Sequence, residues 1–113
     1  MTSDFLDLDA LLNEEERLVR DTVRAFVRDR ILPNVADWFE EGTLPRDLGT
    51  ELGNLGLLGM HLHGYGCPGA SAVAYGLACM ELEAGDSGVR SFASVQGSLA
   101  MFAIHSCFCS SLP

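Results

Sequence analysis

Asn13-Glu14-Glu15-Glu16-Arg17-Leu18-Val19-Arg20-Asp21-Thr22-Val23-Arg24-Ala25-Phe26-Val27 carries a helical pattern from its first residue to its last. Asn13 is a residue type that caps helix N-termini. The three glutamates after it fill the first turn, where the positive end of the helix dipole favours acids. Leu18, Val19, Thr22, Val23, Phe26 and Val27 recur at helical spacing and predict a helix running on to Leu32. Arg17, Arg20, Arg24 and Arg28 occupy the remaining faces, and Asp21 is placed to pair with Arg17 or Arg24. Pro33 has no amide hydrogen to donate, so it ends or kinks this helix.

The pattern stays helical on both sides of that proline. A short helix is expected with Val35, Trp38 and Phe39 on its apolar side and Gly42 closing it. Pro45 suits the first turn of a third helix, Arg46 to Leu55, whose stripe is Leu48, Leu52 and Leu55 and whose end is marked by Gly56. Leu57 to Gly69 is rich in glycine and reads as a loop, with a short extended piece around Met60 to His63. Ser71 to Ala84 reads as a buried helix containing Tyr75, Leu77, Met80 and Leu82. Gly85-Asp86-Ser87-Gly88 is a tight connection. A last helix is expected from about Val89 to His105, with Phe92, Val95, Leu99 and Phe102 as its apolar face. There is no internal repeat, no low-complexity linker and no heptad seam. Five or six short helices without a strong strand signal make an all-α domain.

The chain has 113 residues, a length that fits one small domain, with 48% hydrophobic and 20% charged residues, a balance that argues against disorder. Its seven basic residues are all arginine and face sixteen acids, for a net charge of −9. A phosphate backbone needs a basic footprint, so no nucleic acid is expected as a partner, and an anionic membrane surface is disfavoured for the same reason. No apolar run reaches the ~18–20 residues that span a bilayer. Met1 to Leu12 is acidic and lacks the basic start of a signal peptide or the arginines of a transit peptide, so a bacterial-type cytoplasmic location is expected. Cys67, Cys79, Cys107 and Cys109 form no extracellular disulfide framework, and reduced thiols are expected.

Charge divides the chain. Residues 1–51 hold thirteen acids and six arginines, whereas residues 52–113 hold only Glu81, Glu83, Asp86 and Arg90, four charges in sixty-two residues. A stretch of that length folding alone in water carries roughly a quarter charged residues. This half therefore reads as covered on several sides, which a small domain cannot arrange by itself. Either the chain oligomerises or it is part of something larger.

Arg90 is the most informative single residue. It is the only base after Arg46 and lies near the start of a nearly uncharged helix, where a desolvated guanidinium needs a carboxylate or phosphate partner. Ser91 lies beside it, Ser94 one turn on and Ser98 another turn beyond. One reading is a hydroxyl-lined slot for a ligand carboxylate, which the planar guanidinium fork suits. The other is a structural ion pair with Glu81, Glu83 or Asp86. Those three acids have no histidine or metal cluster to support acid–base work, and they read as a helix end plus a partner for Arg90. His61, His63, Cys67, His105, Cys107 and Cys109 are metal-ligand types without metal-site spacing, so no metal is expected. No thiol has an activating arrangement. Gly64, Gly66 and Gly69 match GxGxxG spacing but lack the βαβ context that gives that motif meaning, and a tight turn is the expected role.

Several segments taken together carry a resemblance. Glu14 to Asp21, Pro33 to Gly42, Leu52-Gly53-Asn54-Leu55-Gly56-Leu57-Leu58-Gly59 and Tyr65-Gly66-Cys67-Pro68-Gly69 resemble the N-terminal helical domain of acyl-CoA dehydrogenases. Tyr75-Gly76-Leu77 through Glu81-Leu82-Glu83, Asp86-Ser87-Gly88, Arg90-Ser91, Ser94-Val95-Gln96 and Ser98-Leu99 look like the glutaryl-CoA dehydrogenases of that family. The resemblance covers about residues 10–105. It implies an orthogonal helical bundle of five to six helices, FAD as cofactor and an acyl-CoA thioester as substrate. It also implies a carboxylate base that removes an α-proton while the β-hydrogen leaves as hydride to the flavin, with electrons passing to an electron-transfer flavoprotein. In glutaryl-CoA members the unsaturated intermediate also loses CO2 to give crotonyl-CoA, and Arg90, Ser91 and Ser94 stand where the substrate's far carboxylate is held. A homo-oligomer, a tetramer in the family, is implied as well.

Family members run to about three domains. The resemblance therefore implies that residues 1–105 are the N-terminal domain and that the central β-domain and the C-terminal helical domain, with its catalytic base, are absent. No catalytic residue is expected within this chain, and catalysis and FAD retention by it alone are not expected. Residues 106–113, Ser-Cys-Phe-Cys-Ser-Ser-Leu-Pro, depart from the charged helix start the family has there and suggest a truncation or gene fragment. The alternatives from other classes are a non-catalytic helical interaction module and an unstable fragment.

Overall fold

The computed structural model describes residues 4–64 and 67–111, and within the last helix the side chains as far as Cys107. Tyr65 and Gly66 of the glycine-rich loop, the Cys109 side chain and the final two residues of the expected tail lie outside the described residues.

Helix α1, Glu14–Phe26, opens on a reciprocal cap: the Asn13 side chain accepts from the Glu16 amide at 2.8 Å, and the Glu16 carboxylate accepts from the Asn13 amide at 3.0 Å. Two otherwise unpaired donors are satisfied at once. The helix runs on without a break as a π-helical stretch, Val27–Ile31. Helix α2, Val35–Glu41, ends at Gly42 in the left-handed conformation, φ 70°. Helix α3, Asp47–Asn54, buries Leu48 and Leu52. A two-residue antiparallel pair, His63–Gly64 with Cys67–Pro68, follows. Helix α4, Ala72–Gly85, is capped by the Ser71 hydroxyl, which accepts from the Ala74 amide at 3.1 Å. A single extended residue, Asp86, breaks the chain and caps helix α5, Ser87–Ser94, through the Val89 amide at 2.8 Å. A second π-helical stretch, Val95–Met101, and helix α6, Phe102–Ser111, continue α5 as one rod. The architecture is mostly helical, as expected, and helix continues past His105 into the segment read as a divergent tail.

The core is built from residues four apart on each rod. Val23, Val27 and Ile31 meet Ala74, Ala78 and Leu82 of α4, Val89 and Ala93 of α5, and Leu48 and Leu52 of α3. Ion pairs lock the rods from outside: Arg24 reaches Glu81 on α4 at 2.6 Å, and Arg30 reaches Glu51 on α3 at 3.0 Å while lying over the Trp38 ring. Asp21 pairs with its neighbour Arg20, not with Arg17 or Arg24. Arg20 also pairs with Asp9 of the segment that precedes α1.

The last rod turns a different face inward from the one its bulky residues predict. Val89, Ala93 and Gly97 are buried, whereas Phe92, Val95, Leu99 and Phe102 face out, Leu99 being 68% exposed. The cause is the closeness of the rod to its neighbours. A Cβ on Gly97 would stand 2.9 Å from the amide nitrogen of Gly59, which leaves no room for a large side chain on that face.

The radius of gyration is 15.1 Å, against roughly 13 Å for a compact chain of about this length. The shortest axis is only 19 Å, about two helices thick. A slab this thin leaves one side of most helices unburied, which is why Val73, Met80, Val95, Leu99 and Ile104 are more than half exposed. Among the described residues no helix is long and apolar enough to cross a membrane.

Candidate functional site

The tight link at Asp86 folds α5 back along α4, so the two helices meet in antiparallel register. Small residues are buried on both helices, Ala74 and Ala78 on α4 and Ala93 on α5, while Gly97 further along the rod lies against Gly59. Polar residues then fall on an outer seam at the same spacing: Tyr75, Cys79 and Glu83 along α4, and Ser98, Ser94 and Arg90 along the partner rod.

Both ends of this seam are bonded. At one end Arg90 Nε donates to Glu83 Oε2 at 2.6 Å, and the Ser87 hydroxyl donates to Glu83 Oε1 at 2.6 Å. Arg90 Nη1 donates to Ser94 Oγ at 3.1 Å, and the Ser94 hydroxyl donates to the Ser91 carbonyl at 3.2 Å. At the other end the hydroxyls of Tyr75 and Ser98 share a hydrogen bond of 2.6 Å. The structure thus brings Arg90, Ser91 and Ser94 together, with Ser91 contributing its backbone carbonyl.

The three acids that competed for Arg90 separate cleanly. Glu81 is taken by Arg24, Asp86 caps α5, and Glu83 takes Arg90. The expectation of a desolvated guanidinium is corrected: the Arg90 side chain is 35% exposed, because the slab has no layer over it. Its charge is reinforced by the Glu83 hydrogen bond, and Glu83 is held below the usual carboxylate range first by Arg90 and then by Ser87. Burial pushes the Tyr75 hydroxyl up, against the opposing hydrogen bond from Ser98.

Arg90, Glu83, Cys79, Met80 and Ala84 line a shallow open depression. It presents the Arg90 guanidinium beside the Glu83 carboxylate and an apolar flank of Met80 and Ala84, with the Ser94 hydroxyl bonded behind the guanidinium.

Tyr75 is the residue that sequence reasoning missed. It was read as part of a buried helix, yet its hydroxyl joins α4 to the π-helical stretch. The signal was present in the matched spacing of Tyr75, Cys79 and Glu83 with Ser98, Ser94 and Arg90 across a one-residue connection. The His61 ring packs at a tilt of 57° against the Tyr75 ring with centroids 4.9 Å apart, and His61 Nδ1 is buried without a hydrogen-bond partner.

Six of the seven arginines pair with carboxylates of this chain. Among the described residues no group of three or more His, Cys, Asp or Glu side chains could hold a metal ion.

Comparison with known proteins identifies the family of the fold. Residues 13–107 match the family model described as the acyl-CoA dehydrogenase N-terminal domain. A glutaryl-CoA dehydrogenase from Mycobacterium smegmatis, solved in complex with FADH2, superimposes with a TM-score of 0.87 at 64% identity, over 89% of this chain and 26% of that one. A second structure of glutaryl-CoA dehydrogenase from the same organism gives a TM-score of 0.86 at 67% identity, over 90% and 27%. The chain therefore spans about a quarter of the length of the structures it matches, and it belongs to the acyl-CoA dehydrogenase N-terminal domain family.

Proposed function

We propose that this chain is the N-terminal domain of a glutaryl-CoA dehydrogenase-type enzyme and forms one wall of its acyl cavity. Arg90, with the Ser94 hydroxyl and the turn at Ser91, holds the distal carboxylate of glutaryl-CoA. The observation that carries this reading is the arrangement of Arg90: Nε on Glu83 and Nη1 on Ser94, which fixes the plane of the fork while the group stays accessible. A fatty acyl chain needs only an apolar wall, so a fixed cation at the end of the cavity selects a dicarboxylic thioester.

The reaction of the whole enzyme is α,β-dehydrogenation and decarboxylation of glutaryl-CoA to crotonyl-CoA, with electrons passed to an electron-transfer flavoprotein by a homo-oligomeric protein. The flavin and the carboxylate base belong to parts of the enzyme that this chain does not span. On this reading the chain alone is inactive, and the outward Phe92, Val95 and Leu99 pack on the remaining domains.

The test is a chimera in which residues 13–107 of this chain replace the matched segment of the Mycobacterium smegmatis enzyme. Arg90→Ala in that chimera lowers kcat/KM for glutaryl-CoA by about a hundredfold, the loss of a close charge pair, and lowers that for butyryl-CoA far less. Equal losses for the two thioesters overturn the carboxylate role.

A further inference from the structure

We propose that Tyr75 is a positioning residue for the carboxylate site: through Ser98 it anchors the widened helical turn that follows Ser94, and so sets where the Ser94 hydroxyl meets Arg90. This rests on the reading of Arg90 given above and extends it to a residue that does not touch the ligand.

Three observations converge on this role. The Tyr75–Ser98 hydrogen bond, at 2.6 Å, joins α4 to the stretch Val95–Met101, which begins at the residue after Ser94. That stretch is π-helical, a wider turn that is rare and occurs mostly as short bulges inside α-helices, frequently at functional sites. The support on its inner side is steric, where Gly97 lies against the Gly59 backbone. On its outer side the support is the Tyr75 hydroxyl. The Tyr75 ring also packs at a tilt against the His61 ring, with centroids 4.9 Å apart, a second contact on the anchor. The Ser94 hydroxyl, which bridges Arg90 Nη1 and the Ser91 carbonyl, sits between the two anchored ends of the seam. Without the hydroxyl at Tyr75 the turn relaxes towards α-helical spacing, Ser94 rotates relative to Arg90, and the fork loses one of its two fixing bonds.

The same chimera tests this with Tyr75→Phe and, independently, Ser98→Ala. The readout is the ratio of kcat/KM for glutaryl-CoA to that for butyryl-CoA. Each variant lowers the ratio by about five- to tenfold, the worth of one neutral hydrogen bond, and the double variant lowers it no further than either single change. Ser98→Thr, which keeps the hydroxyl, restores the ratio. A ratio unchanged in both single variants, or additive losses in the double variant, overturns the proposal. Arg90→Ala run alongside separates the two readings. If Arg90→Ala discriminates between the thioesters while Tyr75→Phe does not, only the positioning role falls. If Arg90→Ala fails to discriminate, the carboxylate site itself falls and takes the positioning role with it.

Discussion

Gly97 in the last rod lies against the backbone of Gly59 so closely that a Cβ there would stand 2.9 Å from the Gly59 nitrogen. Two effects oppose each other at this position. Alanine is the better helix former by about 1 kcal/mol, but overpacking against a backbone atom costs about 1–3 kcal/mol and cannot be relieved by a rotamer change. The clash wins. Gly97→Ala is expected to destabilise the chain by up to about 2 kcal/mol in urea unfolding, and a stabilised variant would show that the rod is free to move away.

The N-terminal cap of α1 is a local device with a local cost. Asn13→Ala removes the side-chain acceptor of the Glu16 amide and leaves only the reverse half of the cap, from the residue-13 amide to the Glu16 carboxylate. The expected loss is about 1 kcal/mol, read as a lower midpoint in thermal or urea unfolding. Asn13→Asp, which keeps an acceptor and adds a charge favourable to the helix dipole, is expected to hold the midpoint.

Leu52 is completely buried where α3 meets α1 and α4. Leu52→Ala is expected to cost about 2–5 kcal/mol, the range for truncating a buried leucine. In a chain this thin that is a large share of the total stability. Loss of the cooperative unfolding transition is therefore the expected result, and a change below the range would mean that the site collapses around the gap.

The Glu83 carboxyl is held low by Arg90 and Ser87. A carboxyl whose folded pKa lies below its unfolded value contributes stability that is fully present above the unfolded pKa, about 4.3 for a glutamate, and is lost as pH falls through the lower folded value. The α4–α5 link through Glu83 therefore holds at neutral pH and is lost in acid, as pH falls from the ordinary glutamate value through the lower folded one. Glu83→Gln is expected to flatten that part of the stability profile. The same change removes an anion beside Arg90, and in the chimera it is expected to tighten glutarate inhibition by about threefold. A weakened inhibition would show that Glu83 serves the ligand by orienting Arg90 more than it opposes the ligand's charge.

What the sequence made legible was governed by near neighbours along the chain. The Asn13 cap and the Gly42 and Gly56 turns each depend on a few adjacent residues, and each stands where the spacing placed it. The phase of the last helix was not legible in this way. Bulky residues ordinarily mark the inward face, but here the inward face is set by how closely α4 and the Gly59 turn approach, and only Val89, Ala93 and Gly97 fit there. Arg90 and its two serines were legible as a cluster, because they share one helix face. The choice of Glu83 over Glu81 and Asp86 was not, because it depends on Arg24 claiming Glu81 from a helix more than fifty residues away. Tyr75 was missed because its partner lies across the hairpin and not along its own helix.

The most direct measurement is a crystal structure of the chimera with a non-reactive glutaryl thioester bound. The distal carboxylate is expected within about 2.7–2.9 Å of Arg90, sharing the fork with Ser94. A carboxylate seated away from this fork, with Arg90 still bonded only to Glu83 and Ser94, would contradict it.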